Sequence, residues 1–295
     1  MKFHVITLLP NMIEAFFDKN IGGVVGAAKD KNLFQLNLIP LRDYSDNKYK
    51  SVDDRPFGGG DGMVLTVTPL QKAIQDIPAD GDSTSTRRRV IYLSPQGRLW
   101  NQKLAQEYSQ KYTDLILICG RYGGVDQRFL NQYVDEEISI GDYVLSGGEI
   151  AAVAVMDSMV RCLPGVLGHQ DSCREDSFWG GDLNAEDSAI EGVLESPLFT
   201  RPTEILQQKV PQVLTSGDHQ KMALWKRHLS LLVTLSKRPE LLNLQKSSDL
   251  LEQAIEFAKT LPDQEWAVLG FKQSVKDLEN KWILLKRLQS SKDWK

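Results

Sequence analysis

Cysteine is scarce in this chain of 295 residues, which has only Cys119, Cys162 and Cys173 and no C-x-x-C pair. Three thiols at this spacing argue against a disulfide framework and a cysteine zinc site, and they are typical of a reduced, intracellular protein. Long apolar runs are also missing, because no stretch approaches the roughly 18 uncharged residues of a membrane-spanning helix. Pro10 and Asn11 interrupt the apolar N-terminus, which favours a first strand and turn over a signal peptide. The sequence therefore predicts a cytoplasmic protein with no membrane partner.

Basic charge is not in excess either, because 35 Lys and Arg are outnumbered by 39 Asp and Glu, for a formal net charge of −4. This balance argues against a generally basic nucleic-acid coat, and DNA is not expected as a partner, although a local basic patch remains compatible with it. The phosphate loop of nucleotide hydrolases, G-x-x-x-x-G-K-[ST], does not occur. No histidine spacing typical of a metal site is found, and no metal ligands are predicted from His169, His219 and His228.

The first half of the chain has the pattern of an α/β protein. Runs rich in Val, Ile and Leu, bounded by Pro or Gly, predict strands at 3–9, 33–41, 89–94 and 114–120. Residues 98–112 lie between the last two runs and have helical spacing, so this part reads as a βαβ unit. Such units favour a parallel sheet covered by helices. A long Ala/Val segment, 147–164, predicts a buried helix that Pro164 stops.

The composition changes after this helix. A polar, glycine-rich stretch predicts a linker, and beyond it amphipathic helices are predicted within 216–242, 247–261 and 274–288. The first of these helices places Trp225, Leu229 and Leu232 on one face. The predicted organisation is a domain at 1–165, a flexible linker at 166–183, and a smaller helical domain at 184–295, with an extension beyond about residue 242.

Four glycine-rich loops stand out, and the first of them, 55–63, contains Gly58, Gly60 and Gly62 as G-x-G-x-G. A dinucleotide-binding fingerprint must follow a strand and open a helix. Here "DDRPF" precedes the glycines and Pro56 lies two residues before the first of them, so we predict a flexible surface loop instead.

The other three glycine loops, 94–97, 120–124 and 141–149, each follow a short apolar run. Ligands of open parallel sheets bind outside the carboxyl ends of the strands, and glycine lets backbone groups approach a flat ligand closely. Any one of these loops is explained as a tight turn, but three after successive strands favour a shared pocket. For Asp142 a helix cap and a ligand contact are equally compatible with its position, whereas Glu149 is predicted to cap the helix that follows.

Several motifs in order along the chain resemble the bacterial tRNA (guanine-N1)-methyltransferases of the TrmD family. They are "VDDRPFGGGDGMV", "YLSPQG", "LICGRYGGVDQR", "EISIGDYVLSGGE", "PGVLG", "EDSF" and "TRP", and they extend from near residue 1 to about residue 242. The resemblance implies a SPOUT-type α/β domain with a deep trefoil knot, an exception to the near absence of knots in proteins. It also implies an obligate homodimer that shares each active site between subunits.

The resemblance further implies S-adenosylmethionine as cofactor, bent within the knot and held by the three loops. The residues that match the cofactor-binding motifs are Tyr92, Leu93, Ser94, Gly97, Gly120, Tyr122, Ser139, Ile140, Gly141, Asp142, Tyr143, Val144, Leu145, Gly147 and Gly148.

The implied reaction is methylation of N1 of the guanine at position 37 of tRNA. N1 carries a proton and is a poor nucleophile, so a base must remove that proton while a cation stabilises the charge that grows on O6. By resemblance the base is Asp176 of "EDSF" and the cation is Arg161. On the residues alone, Asp176 is equally explained as a helix cap or linker acid, and Arg161 as a helix-end charge.

Phosphates of a bound tRNA need cations, and each candidate is individually explained as a solvated surface charge. The candidates are Arg55, Arg121, Arg128, Lys221, Lys226, Arg227, Lys237 and Arg238.

Three departures from the family pattern bear on activity. Gly123 replaces an acid associated with the methionine end of the cofactor and with Mg²⁺, which puts a magnesium requirement in question. Leu198 and Phe199 replace a His-Tyr pair, and "WGGDLNAEDSAI" is an insertion just after Asp176. The alternatives to an active enzyme are a diverged knotted homologue that binds cofactor or RNA with little or altered transferase activity, and an adenine-nucleotide-binding regulatory protein.

Overall fold

The computed structural model describes residues 1–78, 87–167, 176–179 and 192–290. The chain divides into two compact units, Met1–Cys173 and Arg174–Lys295. Most of the predicted linker, 166–183, lies outside the described residues, so its flexibility and the proposed domain bounds stay predictions. Within the described ranges, no helix is both long enough and apolar enough to cross a membrane.

A parallel sheet forms the centre of the first unit, with the strand order β2-β1-β6-β5-β7 in its described part. Every neighbouring pair in it is parallel. The predicted parallel sheet and all four predicted strands are confirmed. The strands are β1 (Lys2–Thr7), β2 (Gln35–Pro40), β5 (Arg88–Leu99), β6 (Asp114–Cys119) and β7 (Glu136–Ser139).

Helices cover both faces of this sheet, which explains why β6, at its centre, is apolar and buried along its whole length. One apolar core lies against α1 (Pro10–Phe16), α2 (Gly23–Asp30), α4 (Gln102–Lys111) and α6 (Glu149–Val160). The other core lies against α3 (Val67–Gln75) and α5 (Gln127–Tyr133).

The predicted βαβ unit is formed by β5, α4 and β6. Asn101 caps α4, because its side-chain oxygen accepts a hydrogen bond of 3.0 Å from the Leu104 amide. The predicted Ala/Val helix is α6, whose side chains are buried on several sides. It ends at Val160, before Pro164.

The first glycine loop connects two short antiparallel strands, β3 (Asp53–Asp54) and β4 (Val64–Leu65). It does not open a helix, in agreement with the rejection of a dinucleotide fingerprint. Gly58, Gly60 and Gly62 have positive φ and are exposed, so the predicted surface position is confirmed.

The second unit contains β8 (Glu204–Ile205), β9 (Gln208–Lys209) and the helices α7 (His219–Lys237), α8 (Leu244–Thr260), α9 (Asp263–Val268) and α10 (Val275–Ser290). Trp225, Leu229 and Leu232 of α7 are buried, as their spacing predicts. Leu278 and Trp282 of α10 are buried in the same apolar cluster. The extension beyond residue 242 therefore completes the core of this unit.

Candidate functional site

Three glycine loops belong to the neighbouring strands β6, β5 and β7: two follow the carboxyl ends of β6 and β7, and the third lies within β5. The first loop, 94–97, interrupts the pairing of β5 with β7, whose register shifts between Leu93 and Arg98. The second loop, 120–124, follows β6, and the third, 140–148, follows β7 and leads into α6. The order of the strands thus brings the loops to one edge of the sheet.

Backbone hydrogen bonds join the loops to one another. The Gly148 amide donates to the Gly120 carbonyl at 2.8 Å, and Arg121 and Gly147 form an antiparallel bridge. The Trp100 amide, just beyond the first loop, donates to the Ser139 carbonyl at 2.7 Å. These bonds fix the three loops relative to the sheet.

The three loops line a single cavity of about 370 Å³. This size lies within the range of small-molecule sites, roughly 300–1,000 Å³. Of the predicted cofactor-binding residues, the cavity is lined by Tyr92, Leu93, Ser94, Gly120, Tyr122, Ser139, Ile140, Gly141, Tyr143, Val144, Leu145, Gly147 and Gly148.

Two predicted residues, Gly97 and Asp142, are not among those that line the cavity. The Gly97 backbone packs against β7, where a Cβ on it would lie 2.3 Å from the Ile138 nitrogen. Gly97 thus has a packing role: without a side chain, it lets the first loop lie directly against β7. Asp142 is exposed and lies six residues before Gly148, the N-cap of α6, to which it makes no side-chain hydrogen bond. Its cap interpretation is therefore wrong, and its ligand contact stays a prediction.

Two glycines of the cavity wall have no room for a side chain. A Cβ on Gly120 would lie 2.6 Å from the Tyr92 hydroxyl oxygen, and one on Gly148 would lie 2.8 Å from the Cα of Cys119. Both distances are shorter than real Cβ contacts, so the absence of a side chain is a structural requirement here. Backbone groups therefore supply much of this wall.

Glu149 does not cap α6, and the capping prediction is wrong. The N-cap is Gly148, without a side-chain hydrogen bond. The Glu149 carboxylate is only 1% exposed; it accepts a hydrogen bond of 2.9 Å from the Thr7 hydroxyl and pairs with Arg121 Nε at 3.3 Å. A buried carboxylate requires a hydrogen-bond donor and a cation as partners. The stabilisation that these partners give Glu149 is larger than that of a cap at the surface. Burial, and then the charge of Glu149, raise the pKa of the neighbouring Cys119 thiol well above its usual range.

The two predicted catalytic residues lie in different units, Arg161 in the first and Asp176 in the second. Arg161 follows α6 directly as its C-cap, with its amide donating to the Asp157 carbonyl at 3.1 Å. Burial raises the pKa of Asp157, and the charge of Arg161 opposes this shift.

Asp176 begins a short turn in the second unit, where the Trp179 amide donates to its carbonyl at 3.3 Å. This turn is tied to the segment that follows residue 192, because the Phe178 amide donates to the Val193 carbonyl at 2.9 Å. The Leu194 amide in turn donates to the Thr234 hydroxyl on α7 at 2.9 Å. These bonds connect the turn of Asp176 to the core helix of its unit.

Several of the candidate phosphate-binding cations are engaged in ion pairs. Besides Arg121, Arg128 forms two hydrogen bonds with Asp126, and Lys221 lies 3.1 Å from Asp218. Arg238 pairs with Glu240. Arg121 is only 22% exposed and serves a buried carboxylate, which favours a structural role for it over a phosphate contact.

Glu137 of β7 lines the cavity but was not among the residues predicted from the sequence. The alternation of side chains along a strand could have found it, because its neighbour Glu136 bonds to Tyr108 in the core on the other side of the sheet. Gln96, Gln127 and Ser146 also line the cavity and had no distinctive signal in the sequence.

Comparisons with known proteins agree on one family. The family model described as tRNA (Guanine-1)-methyltransferase TrmD matches residues 1–244. A relative from Nitrosomonas europaea, named tRNA (guanine-N(1)-)-methyltransferase, is 43% identical over 92% of this chain and 92% of its own length. Relatives of the same name from Dictyoglomus turgidum and Hahella chejuensis are 42% and 44% identical, each over 86% of this chain and over 96% and 92% of their own lengths.

Proposed function

This chain belongs to the tRNA (guanine-1)-methyltransferase TrmD family, and we propose on that basis that it methylates N1 of guanine 37 in tRNA with S-adenosylmethionine as methyl donor. The observation that carries the proposal is the single cavity lined by three glycine loops of adjacent strands. The family membership gives the reaction class, and the cavity gives a place for the cofactor.

The residues of the cavity fit S-adenosylmethionine. The volume of about 370 Å³ suits a ligand of this size, and the close approach at Gly120 and Gly148 leaves backbone groups at the wall. Fixed backbone donors and acceptors suit the edge of an adenine ring. We assign the adenine and ribose to the loop from Ser139 to Gly148, and place the first two loops on either side of them.

When bound, the cofactor supplies an electrophilic methyl group on its sulfonium. The chain must supply the rest: a base for the N1 proton of guanine and a cation near O6. Asp176 is the general base in this proposal, because a carboxylate within hydrogen-bond reach of N1 can accept the proton as the methyl bond forms. Arg161 stabilises the negative charge that develops on O6.

The deep trefoil knot and the homodimer belong to the same proposal. The knot is supported by the membership of the chain in the TrmD family. A second copy is supported by exposed apolar side chains on the first unit, which single soluble chains rarely gather in one region. These side chains belong to Leu9, Met12, Phe16, Ile21 and Val24 in and beside α1 and α2.

We assign tRNA binding to the second unit. Lys221 and Arg238 form ion pairs with exposed acids. Ion pairs exposed to solvent contribute little to stability, so a tRNA phosphate can replace the acids as partner of these cations. Their contribution is expected to weaken with rising salt concentration.

The test measures 1-methylguanosine at position 37 by mass spectrometry of nuclease digests. The purified chain is incubated with S-adenosylmethionine and a tRNA in which G36 precedes G37. We expect the wild-type chain to form this product and Asp176→Asn to abolish it while cofactor binding by calorimetry is unchanged. Asp249→Asn, which changes an exposed acid on α8, serves as the matched control and should keep full activity.

The second candidate function is a diverged homologue that binds cofactor or RNA but transfers little. Gly123, which takes the place of the acid expected after "GRY", favours it. The same assay, run with and without Mg²⁺, separates the two. A wild-type chain that binds the cofactor but leaves G37 unmodified under both conditions would establish this second function and refute the first.

A further inference from the structure

The cavity contains one charged side chain without a protein partner. Only Arg121 and Glu137 are charged among the residues that line it. Arg121 pairs with the buried Glu149, so its charge is already balanced. The Glu137 carboxylate makes no hydrogen bond or ion pair with any residue in the described part of the chain.

The position of Glu137 is fixed by the sheet. It lies on β7 in register with Tyr92 of β5, and Gly97 packs directly against its backbone. The preceding residue, Glu136, faces the opposite side, where it accepts hydrogen bonds from Tyr108 and Arg89. Alternation along the strand therefore places one carboxylate in the core on one side and the other at the cavity.

Glu137 lines the cavity next to Tyr92, its register partner on β5. Burial, and then the negative charge of Glu137, raise the pKa of the Tyr92 hydroxyl. The Glu137 carboxylate therefore lies close enough to Tyr92 to disfavour ionisation of its hydroxyl. A Cβ on Gly124 would lie 3.2 Å from the Tyr92 hydroxyl oxygen, so this hydroxyl lies beside the second loop. Glu137 and the Tyr92 hydroxyl thus bring polar groups to the cavity.

We propose that Glu137 binds the ammonium group of the methyl donor's amino-acid moiety, an inference that rests on the proposed function. S-adenosylmethionine has an adenosine end and an amino-acid end, and near neutral pH the latter carries a protonated ammonium group beside a carboxylate. A partly buried carboxylate without a partner favours a cation over a neutral group. Glu137 is then a binding residue that selects ligands with an amino-acid tail.

Three ligands distinguish a contact of Glu137 with the ammonium group from a contact with the sulfonium and from a purely structural role. S-adenosylmethionine carries both an ammonium and a sulfonium, S-adenosylhomocysteine carries the ammonium alone, and 5′-methylthioadenosine carries neither. Their dissociation constants are measured by calorimetry for the wild-type full chain, Glu137→Gln and the matched control Glu136→Gln. The control changes the adjacent carboxylate, which faces away from the cavity.

We expect Glu137→Gln to weaken S-adenosylmethionine and S-adenosylhomocysteine by roughly tenfold each, the value of a charge-assisted hydrogen bond. Binding of 5′-methylthioadenosine should change by less than about twofold, which also shows that the variant folds. Glu136→Gln should leave all three constants within the same margin.

Other outcomes overturn the proposal in distinct ways. A loss confined to S-adenosylmethionine would place Glu137 at the sulfonium, and an equal loss for all three ligands would make its role structural. Unchanged binding of all three ligands would leave Glu137 without a binding role. A wild-type chain that binds none of them would refute the proposed function itself, and this inference with it.

Discussion

Gly97 holds the first glycine loop against β7, and replacing it with alanine tests this packing directly. The added Cβ would lie 2.3 Å from the Ile138 nitrogen, and 2.4 and 2.6 Å from the carbonyl carbon and oxygen of Glu137. All three neighbours are backbone atoms, which cannot rotate away as a side chain can. The φ of Gly97 is not in the left-handed region, so the expected effect is steric and not conformational.

The size of the effect follows from these distances. An ordinary van der Waals contact of 3.4 Å would require β7 to move away by about 1 Å. Because β7 is an edge strand that pairs with β5 alone, it can move, but its ladder and the bond from Trp100 to Ser139 are disturbed. Overpacking of this kind costs about 1–3 kcal/mol of unfolding free energy.

Urea denaturation measures the effect of Gly97→Ala on the unfolding free energy of the chain, and amide hydrogen exchange measures its effect on β7. We expect a lower unfolding free energy and faster exchange in a peptide spanning β7. Gly123→Ala is the control, because its Cβ would lie 3.0 Å from the Met63 carbonyl oxygen, which a small shift relieves, and at an ordinary contact distance of 3.5 Å from Val64 Cγ2. A Gly97→Ala chain with wild-type stability and unchanged exchange in β7 would refute the packing argument.

Three further changes test other parts of the structure. Arg121→Met leaves the buried Glu149 carboxylate without its cation, and should lower the unfolding free energy by about 3 kcal/mol; urea denaturation should show recovery when Glu149→Gln is added. Burial alone would raise the pKa of Asp114, but the nearby His4 ring and Arg88 lower it overall. The ionised carboxylate therefore stabilises the fold at pH values above its unfolded pKa of about 4. This stabilisation is lost as the pH falls through the lower folded pKa. Asp114→Asn should therefore flatten the acid dependence of stability, as followed by circular dichroism against pH. Trp282→Ala removes a buried ring from the core of the second unit and should cost about 3–5 kcal/mol in calorimetric unfolding, whereas a peripheral extension would lose almost nothing.

The parallel sheet could be predicted because its signals are local. β6 is a continuous apolar run, and α4 has helical spacing between two such runs. Hydrophobic periodicity and the residues that bound each run are therefore sufficient to predict these elements. The loops at 120–124 and 140–148 could be placed at one edge for the same reason, since parallel strands share a carboxyl edge. The short helices α1, α2, α3 and α5 were not predicted, because seven to nine residues hold too few turns for a clear period.

The partners of buried groups could not be predicted, since they depend on contacts distant in sequence. Glu149 reads as a cap from its neighbours, yet its carboxylate bonds to Thr7, which is 142 positions away. Trp282 has the spacing of an amphipathic helix, but nothing in that pattern says that the helix packs against α7 and α8. Glu137 is an intermediate case, because strand alternation indicates its face while the cavity exists only in the folded sheet.

The central claim is that three loops of neighbouring strands together hold the methyl donor. Amide hydrogen exchange with and without saturating S-adenosylhomocysteine tests it most directly, because each loop falls in a different peptide. The account predicts slower exchange with ligand in all three segments, 92–97, 120–124 and 139–148, and unchanged exchange in α8 and α10. Protection confined to other parts of the chain, or to one loop alone, would contradict it.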